Sequence, residues 1–108
     1  MDIRLTDFKQ ILARKDENSP YRLFDENGKL LYEFPMYFDG KIIDDGIGHY
    51  VFKSDENMLS VIATDGQIKA QIPIERYAGF DFVSGLVQVK YISGACRYYV
   101  VNGNIVIE

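Results

Sequence analysis

The sequence predicts a mainly β protein with one N-terminal α-helix, in which an antiparallel meander of repeated hairpin units curls into an open half-barrel. Three observations lead to this prediction. The 108 residues include eight Tyr and seven Phe but no Trp, and aromatic residues of this kind favour strands. Turn dipeptides such as Asn27-Gly28 and Asp65-Gly66 separate short apolar runs, as in β-hairpins. This pattern recurs at a nearly fixed spacing, which is typical of repeat architectures, so a solenoid-like stack is the second prediction.

The predicted helix covers residues 6–17. Thr6 is a good N-cap, residues 18–20 (Asn-Ser-Pro) end the segment, and four apolar residues fall on one helical face: Leu5, Phe8, Ile11 and Leu12. We therefore expect residues 1–20 to form a capping helix. Residues 21–108 are expected to form a β-repeat domain of about two and a half units, together with the helix in one folded domain.

The predicted strands are short apolar runs separated by turn residues. They cover residues 21–24, 29–34, 48–53, 58–63, 67–72, 86–92, 96–101 and 104–107. Residues 76–82 contain Gly79 and are predicted to be a loop.

The turn glycines Gly28, Gly66 and Gly103 mark the repeat, because they stand 38 and 37 residues apart. The residues around them can be laid over one another, and residues 48–53 align with residues 85–90 without a gap. A single hairpin cannot bury its apolar face alone, so such units are expected to stack.

Two segments carry a resemblance to a known family. They are residues 82–90 (Phe-Val-Ser-Gly-Leu-Val-Gln-Val-Lys) and the turn formed by Asp25 with Asn27-Gly28. With them, roughly residues 21–108 resemble the WG-repeat proteins, which are bacterial β-repeat modules. The chain departs from the family at the defining Trp-Gly pair, because Tyr21, Leu59 and Cys96 occupy the Trp position. The resemblance implies no catalytic residues and, at most, a scaffold for protein contacts.

Composition excludes several classes of function. The net charge is −4, whereas binding of nucleic acid needs a basic stripe. No apolar stretch approaches the length of a membrane span. The start of the chain does not resemble a signal peptide, and Cys96 is the single cysteine, so a cytoplasmic location is expected. No phosphate loop or metal-ligand spacing is present, so we expect no cofactor and no enzymatic activity.

Acidic residues of the first half suggest one kind of partner site. All of the excess negative charge lies in residues 1–57, and Asp39, Asp44 and Asp45 lie close together there, followed by Asp55 and Glu56. A clustered acidic face would suit a small inhibitor or immunity-type protein that blocks a basic partner.

The only histidine, His49, stands near Asp44 and Asp45. A pocket around these three residues would suit a ligand-binding or enzymatic domain. A His-Asp pair needs a nucleophile to be useful in catalysis, so a structural role is the competing interpretation.

Aromatic residues of the predicted loop suggest another partner site. Tyr77, Phe80 and Phe82 lie in residues 76–82, and aromatic side chains dominate the energetics of protein interfaces. The alternative is that these rings fill the core between units. Residues 37–40 (Tyr-Phe-Asp-Gly) form the matching segment one unit earlier. The leading prediction is a non-enzymatic protein-interaction module with a protein partner.

The last predicted strand runs from Asn104 to Ile107 and is apolar. An exposed edge strand offers unpaired backbone groups to another chain. A homodimer through this strand is therefore a further hypothesis.

Overall fold

The computed structural model describes residues 2–102 and 104–107, and within them the chain forms twelve strands in three four-stranded sheets. The strands are β1 Asp2–Leu5, β2 Ile11–Arg14, β3 Arg22–Phe24, β4 Leu30–Glu33, β5 Ile42–Asp44, β6 His49–Asp55, β7 Met58–Ala63, β8 Ile68–Pro73, β9 Tyr77–Val83, β10 Leu86–Tyr91, β11 Cys96–Tyr99 and β12 Ile105–Ile107. Each sheet is an antiparallel meander of four consecutive strands. We call them the N-terminal sheet (β1–β4), the middle sheet (β5–β8) and the C-terminal sheet (β9–β12).

The prediction of a mainly antiparallel β protein is confirmed. The half-barrel is not confirmed, since the described strands form three separate sheets instead of one curled sheet.

The predicted N-terminal helix is wrong, because residues 2–14 form the hairpin of β1 and β2. Leu5 and Ile11, which would share a helical face, are cross-strand partners. Strand β2 then pairs with β3, so this hairpin completes the N-terminal sheet. Between the two strands, Lys9 has a φ of 59°, a left-handed conformation that a right-handed helix excludes.

The segment predicted as a loop at residues 76–82 is also different in the structure, where it belongs to strand β9. Strand β9 pairs with β10 along most of its length. Its aromatic residues Phe80 and Phe82 are two residues apart and therefore lie on the same face of the strand. Gly79 lies within this strand and faces Lys90 across the ladder.

The repeat appears as one hairpin geometry in all three sheets. In each sheet the backbone N–H at the end of the third strand donates to the carbonyl oxygen four residues later, across the final turn. The three bonds run from Asp25 to Lys29, from Ala63 to Gln67 and from Val100 to Asn104, at 2.9, 2.9 and 3.0 Å. Gly28 and Gly66 occupy equivalent turn positions with φ of 86° and 87°. Gly103 lies outside the described residues.

Two hydrophobic cores hold the sheets together. The first core lies between the N-terminal and middle sheets and contains Leu12, Leu23, Phe34, Phe38, Tyr50, Phe52 and Ile62. The second core lies between the middle and C-terminal sheets and contains Val51, Leu59, Val61, Ala70, Ile72, Ile74, Val87, Val89 and Tyr99. Because successive residues of a strand point to opposite faces, the middle sheet contributes side chains to both cores.

The described residues include no helical segment with the length and apolar composition that crossing a bilayer demands.

Candidate functional site

A cleft of about 630 Å³ lies beside the edge strands β5 and β9 of two neighbouring sheets. Its most prominent side chains are those of Tyr37, Lys53, Tyr77 and Phe80. Asp39, Lys41 and Ile43 complete one side, and Ala78 and Gly79 of β9 complete the other. Three of the six residues that the sequence suggested for partner binding, Asp39, Tyr77 and Phe80, therefore meet in one cleft.

The turn that follows β4 presents Tyr37 to the cleft. The backbone N–H of Phe38 donates to the carbonyl oxygen of Pro35 at 3.0 Å, which closes a tight turn. The ring of Phe38 is only 4% exposed and stacks on Phe34 at a centroid distance of 4.2 Å. Because Phe38 anchors the turn in the first core, its neighbour Tyr37 is directed outward and is 50% exposed.

Lys53 lies between two tyrosine rings. Its ammonium nitrogen is 5.3 Å from the ring centroid of Tyr37 and 5.0 Å from that of Tyr77, which is within the range of cation–π attraction. The neighbouring phenol groups of Tyr37 and Tyr77 raise the pKa of Lys53 above its ordinary value of 10.5. The lysine is therefore a fixed positive charge at neutral pH.

The aromatic residues of β9 are shared between the cleft and the second core. Tyr77, Phe80 and Phe82 are half-buried and pack against the second core. The rings of Tyr77 and Phe80 have centroids 6.4 Å apart, and both line the cleft, whereas Phe82 does not. Their inner faces fill the space between sheets, as the competing interpretation expected, and their outer faces remain available.

The cleft carries a positive balance in an acidic chain. Its lining residues include two lysines, Lys41 and Lys53, but only one carboxylate, that of Asp39. Asp39 is exposed, and its Oδ1 accepts the backbone N–H of Lys41 at 3.0 Å. A cationic, aromatic-lined cleft favours groups that are anionic, apolar or both.

Asp44 and Asp45 lie apart from the cleft, in the hairpin between β5 and β6. The Asp45 side chain is 2% exposed. Its Oδ1 accepts the backbone N–H groups of Ile47, Gly48 and His49 at 2.8, 2.9 and 3.0 Å. Its Oδ2 is 2.8 Å from Nδ1 of His49. All of its contacts serve the hairpin, which favours the structural interpretation of the His49–Asp45 pair.

The two neighbouring carboxyls have opposite pKa shifts. Burial acts to raise the pKa of Asp45, but hydrogen bonds from Ile47, Gly48 and His49 outweigh it and lower the pKa below the ordinary 3.8. Burial raises the pKa of Asp44, and the adjacent carboxyl of Asp7 raises it further. Both shifts follow from how the hairpins fold.

Sequence reasoning found the aromatic residues of the cleft but missed its lysines. Tyr37 was recognised only as the repeat counterpart of Tyr77. Lys53 carries no local signal, because its position between the tyrosine rings depends on how three separate segments pack. Lys41 also carries no local signal, because it lines the cleft only as a result of how the turn before β5 folds.

Other reactive side chains of the described residues form no metal cluster: no group of three or more His, Cys, Asp or Glu is placed to hold an ion. Cys96 is a free, half-buried thiol at the start of β11.

No protein-family model matches the chain, and the search of curated proteins found no match.

Proposed function

We propose that this chain is a non-enzymatic protein-interaction module of the WG-repeat-like type, and that it holds a peptide segment of its partner in the cleft beside β5 and β9. The observation that carries the proposal is Lys53, whose ammonium is held between the exposed ring of Tyr37 and the half-buried ring of Tyr77. Tyrosine side chains in a concave site are common anchors of protein recognition, and an ammonium beside them can attract a carboxylate of the partner.

The stacked architecture supports the scaffold function that the resemblance implies. Three sheets with one strand order and one final-turn geometry follow each other along the chain. Stacked repeat units create extended surfaces for binding. The Trp-Gly pair that defines the family is absent, so the resemblance rests on the hairpin pattern and the turn residues.

The partner segment is expected to be acidic and apolar. Lys41 and Lys53 outnumber Asp39 in the cleft, so a carboxylate of the partner gains from both charges. The rings of Tyr37, Tyr77 and Phe80 offer apolar surface beside them. Successive side chains of an extended peptide point to opposite sides. An alternation of acidic and apolar residues therefore separates the side chains that would meet the lysines from those that would meet the rings.

The edge strand β9 can supply main-chain contacts. It is at one end of the strand order in the C-terminal sheet and pairs only with β10 among the described strands. Ala78 and Gly79 of this strand line the cleft. Addition of a peptide strand at such an edge is a common mode of recognition, in which backbone hydrogen bonds give affinity and side-chain pockets give specificity.

The inhibitor hypothesis receives less support from the charge distribution. Asp44 and Asp45 are at the β5–β6 turn, whereas Asp55 and Glu56 are at the β6–β7 turn. The seven residues of β6 separate these turns by about 20 Å. The acidic residues therefore lie at opposite ends of the middle sheet, and one of them, Asp45, is occupied by hydrogen bonds within its own hairpin.

The experiment that tests this function is a selection of peptides from a phage-displayed random library on the immobilised, folded chain. Binding of the enriched peptides is then measured by fluorescence anisotropy for the wild type and three variants. We expect enriched peptides to contain Asp or Glu next to apolar residues. Lys53→Met should weaken their binding about tenfold, or about 1.4 kcal/mol, since it removes the charge and keeps much of the side-chain volume.

Lys69→Met is the matched control, because Lys69 is an exposed lysine of β8 outside the cleft. Its affinity should equal that of the wild type. Enrichment of Lys- and Arg-rich peptides whose binding is lost in Asp55→Asn would favour the inhibitor hypothesis instead. Failure to enrich any sequence, or equal binding by Lys53→Met, would exclude the cleft as the peptide site.

Two further expectations from the sequence, the cellular location and a homodimer, remain proposals. The cytoplasmic location is one of them, and it rests on the single cysteine of the sequence. The homodimer through residues 104–107 also remains, since β12 is the other edge strand of the C-terminal sheet.

A further inference from the structure

The outer face of the N-terminal sheet, turned away from the first core, carries two rows of cross-strand partners. One row is Leu5, Ile11, Phe24 and Leu30, and the other is Ile3, Ala13, Arg22 and Glu33. Six of these eight residues are apolar. Ile3, Leu5 and Leu30 are 67%, 68% and 49% exposed, and contiguous apolar surface of this kind marks an interaction site.

The repeat shows what this face does in the other two sheets. In the middle sheet the row equivalent to the first one is Asp44, Tyr50, Ile62 and Ile68, one partner per strand. Its two central residues, Tyr50 and Ile62, are 1% and 0% exposed because the N-terminal sheet covers them.

The C-terminal sheet repeats the arrangement. Val87 and Tyr99 are the central pair of its equivalent row, and they are 0% and 4% exposed under the middle sheet. In both later sheets this face therefore packs against a preceding sheet. In the N-terminal sheet the equivalent central pair, Ile11 and Phe24, is only half-buried, and no described sheet covers it.

The opposite end of the stack is closed by polar residues. The central row of strand partners on the outer face of the C-terminal sheet is Asp81, Gln88 and Tyr98, and the Gln88 side-chain amide donates to the Tyr98 hydroxyl at 2.7 Å. The apolar pair Val83 and Leu86 lies at the end of this face. In the middle sheet the residues equivalent to the central row are Ile43, Val51 and Val61. A polar outer face is the usual cap of a repeat stack, so one end is capped and the other is open.

We propose that the outer face of the N-terminal sheet binds the same face of a second copy of this chain, giving a two-fold dimer in which the two uncovered ends of the stacks cover each other. The face is self-complementary. Within the two rows the only charged residues, Arg22 and Glu33, form an ion pair with each other at 2.9 Å, so these rows place no unpaired charge against an identical face. Lys15 lies at the margin, in the hollow that Ala13, Arg22 and Phe24 also line. If the two copies packed head to tail, the apolar rows of one copy would instead contact the polar residues Asp81 and Gln88 of the other.

The size of the face indicates a weak dimer. Four strands of about four residues span roughly 19 by 13 Å, which is well below the about 800 Å² that each partner buries in a stable complex. A dissociation constant in the range of about 10–100 µM is therefore expected.

The test is sedimentation velocity of the chain from about 5 to 500 µM, a range that brackets this constant. The wild type should shift from 12.4 kDa to twice that mass. Leu5→Lys and Leu30→Lys should each weaken association at least about tenfold, since each brings a charge against an apolar face. Because the side chains of Leu5 and Leu30 are exposed, both variants are expected to fold, and circular dichroism is the check.

Ile47→Lys is the control, because Ile47 is 76% exposed and lies in the β5–β6 turn, outside the face. It should dimerise as the wild type does. A monomer at 500 µM, or association unchanged by Leu5→Lys, would overturn the proposal.

Two further outcomes point to other assemblies and equally overturn it. Species larger than a dimer, abolished by Tyr98→Lys, would indicate head-to-tail stacking. A dimer that persists in Leu5→Lys but is lost in Val106→Pro would indicate edge pairing through β12. Because neither Leu5 nor Leu30 lines the peptide cleft, this result is independent of the peptide-binding result.

Discussion

Gly28 and Gly66 show how one turn residue serves two purposes. Both adopt a positive φ in the final turn of their sheets, 86° and 87°. A Cβ added at Gly28 would meet no atom within 4 Å, whereas a Cβ at Gly66 would collide with the carbonyl oxygen of Leu31 in the preceding sheet. The glycine of the second turn is therefore needed both for its backbone conformation and for the stacking of sheets.

We predict that Gly28→Ala costs about 1–2 kcal/mol of stability, the usual penalty for a left-handed alanine. Gly66→Ala should cost about 1–3 kcal/mol more, because the turn must also move away from Leu31. Urea unfolding of both variants measures the difference. Equal losses would show that the contact between Gly66 and Leu31 contributes nothing.

Asp44 and Asp45 are adjacent carboxyls with opposite effects on stability. The pKa of Asp45 is lowered in the folded chain, so its contribution is present above its unfolded pKa and is lost as the pH falls through the folded pKa. The pKa of Asp44 is raised. Ionised Asp44 therefore costs stability at neutral pH, and this cost disappears below its unfolded pKa.

At pH 7 we expect Asp44→Asn to raise the melting temperature and Asp45→Asn to lower it. Both differences from the wild type should shrink as the pH falls below the ordinary carboxyl pKa of 3.8. Thermal unfolding at a series of pH values measures this. A change of the same sign in both variants at pH 7 would contradict the assignment.

At the scale of elements, the N-terminal hairpin shows how a helical pattern can become two strands. Thr6, predicted as a helix N-cap, does accept backbone N–H groups, from Phe8 and Gln10 at 3.3 and 3.2 Å. It does so in a hairpin loop. Phe8 packs edge-on against Tyr50 at a centroid distance of 5.3 Å. The same residues would cap and cover a helix, so the local pattern does not separate the two structures.

Contacts with the middle sheet decide in favour of the hairpin. The Tyr50 hydroxyl donates to Oε1 of Gln10 at 2.6 Å and lies 2.9 Å from Oγ1 of Thr6. The Gln10 side-chain amide donates to the carbonyl oxygen of Thr64 at 2.7 Å. This network attaches the tip of the β1–β2 hairpin to the next sheet.

We predict that Tyr50→Phe destabilises the chain by about 1–3 kcal/mol, because it leaves the side-chain oxygen of Gln10 and the Thr6 hydroxyl short of a partner. Amide hydrogen exchange should accelerate in β1 and β2 more than in β10 and β11. Tyr98→Phe, which loses one hydrogen bond to Gln88 on the polar outer face, is the control. Protection of β1 and β2 that is the same in both variants would argue against the network.

At the scale of the whole molecule, the middle sheet belongs to both hydrophobic cores. Val51 and Val61 contribute to the second core, while Tyr50 and Ile62, their neighbours in the chain, contribute to the first. Unfolding of either core removes support from the other. The three sheets are therefore expected to unfold together.

We predict that Leu23→Ala in the first core and Leu59→Ala in the second each cost about 2–5 kcal/mol. Both should shift the same single transition in urea, followed by far-ultraviolet circular dichroism and tyrosine fluorescence. Two separate transitions, each moved by only one of the variants, would show that the cores are independent.

The sequence by itself determined the strand-rich class and eight of the twelve described strands, because turn residues and alternation act over a few neighbours. The turn of Asp25 with Gly28 and its counterpart at Gly66 are where the pattern places them. The aromatic residues Tyr77 and Phe80 were also recognised as notable, although the segment that carries them is a strand.

Only the tertiary structure decided whether residues 2–14 form a helix or a hairpin, which lysine enters the cleft, and which sheet face remains uncovered. Each depends on contacts between residues far apart in the chain, such as Gln10 with Thr64 and Lys53 with Tyr37 and Tyr77. The spacing of apolar residues in the sequence indicates which side of a strand or helix is apolar. It does not record what that side packs against, because burial free energy is non-directional and depends on the surface that is covered.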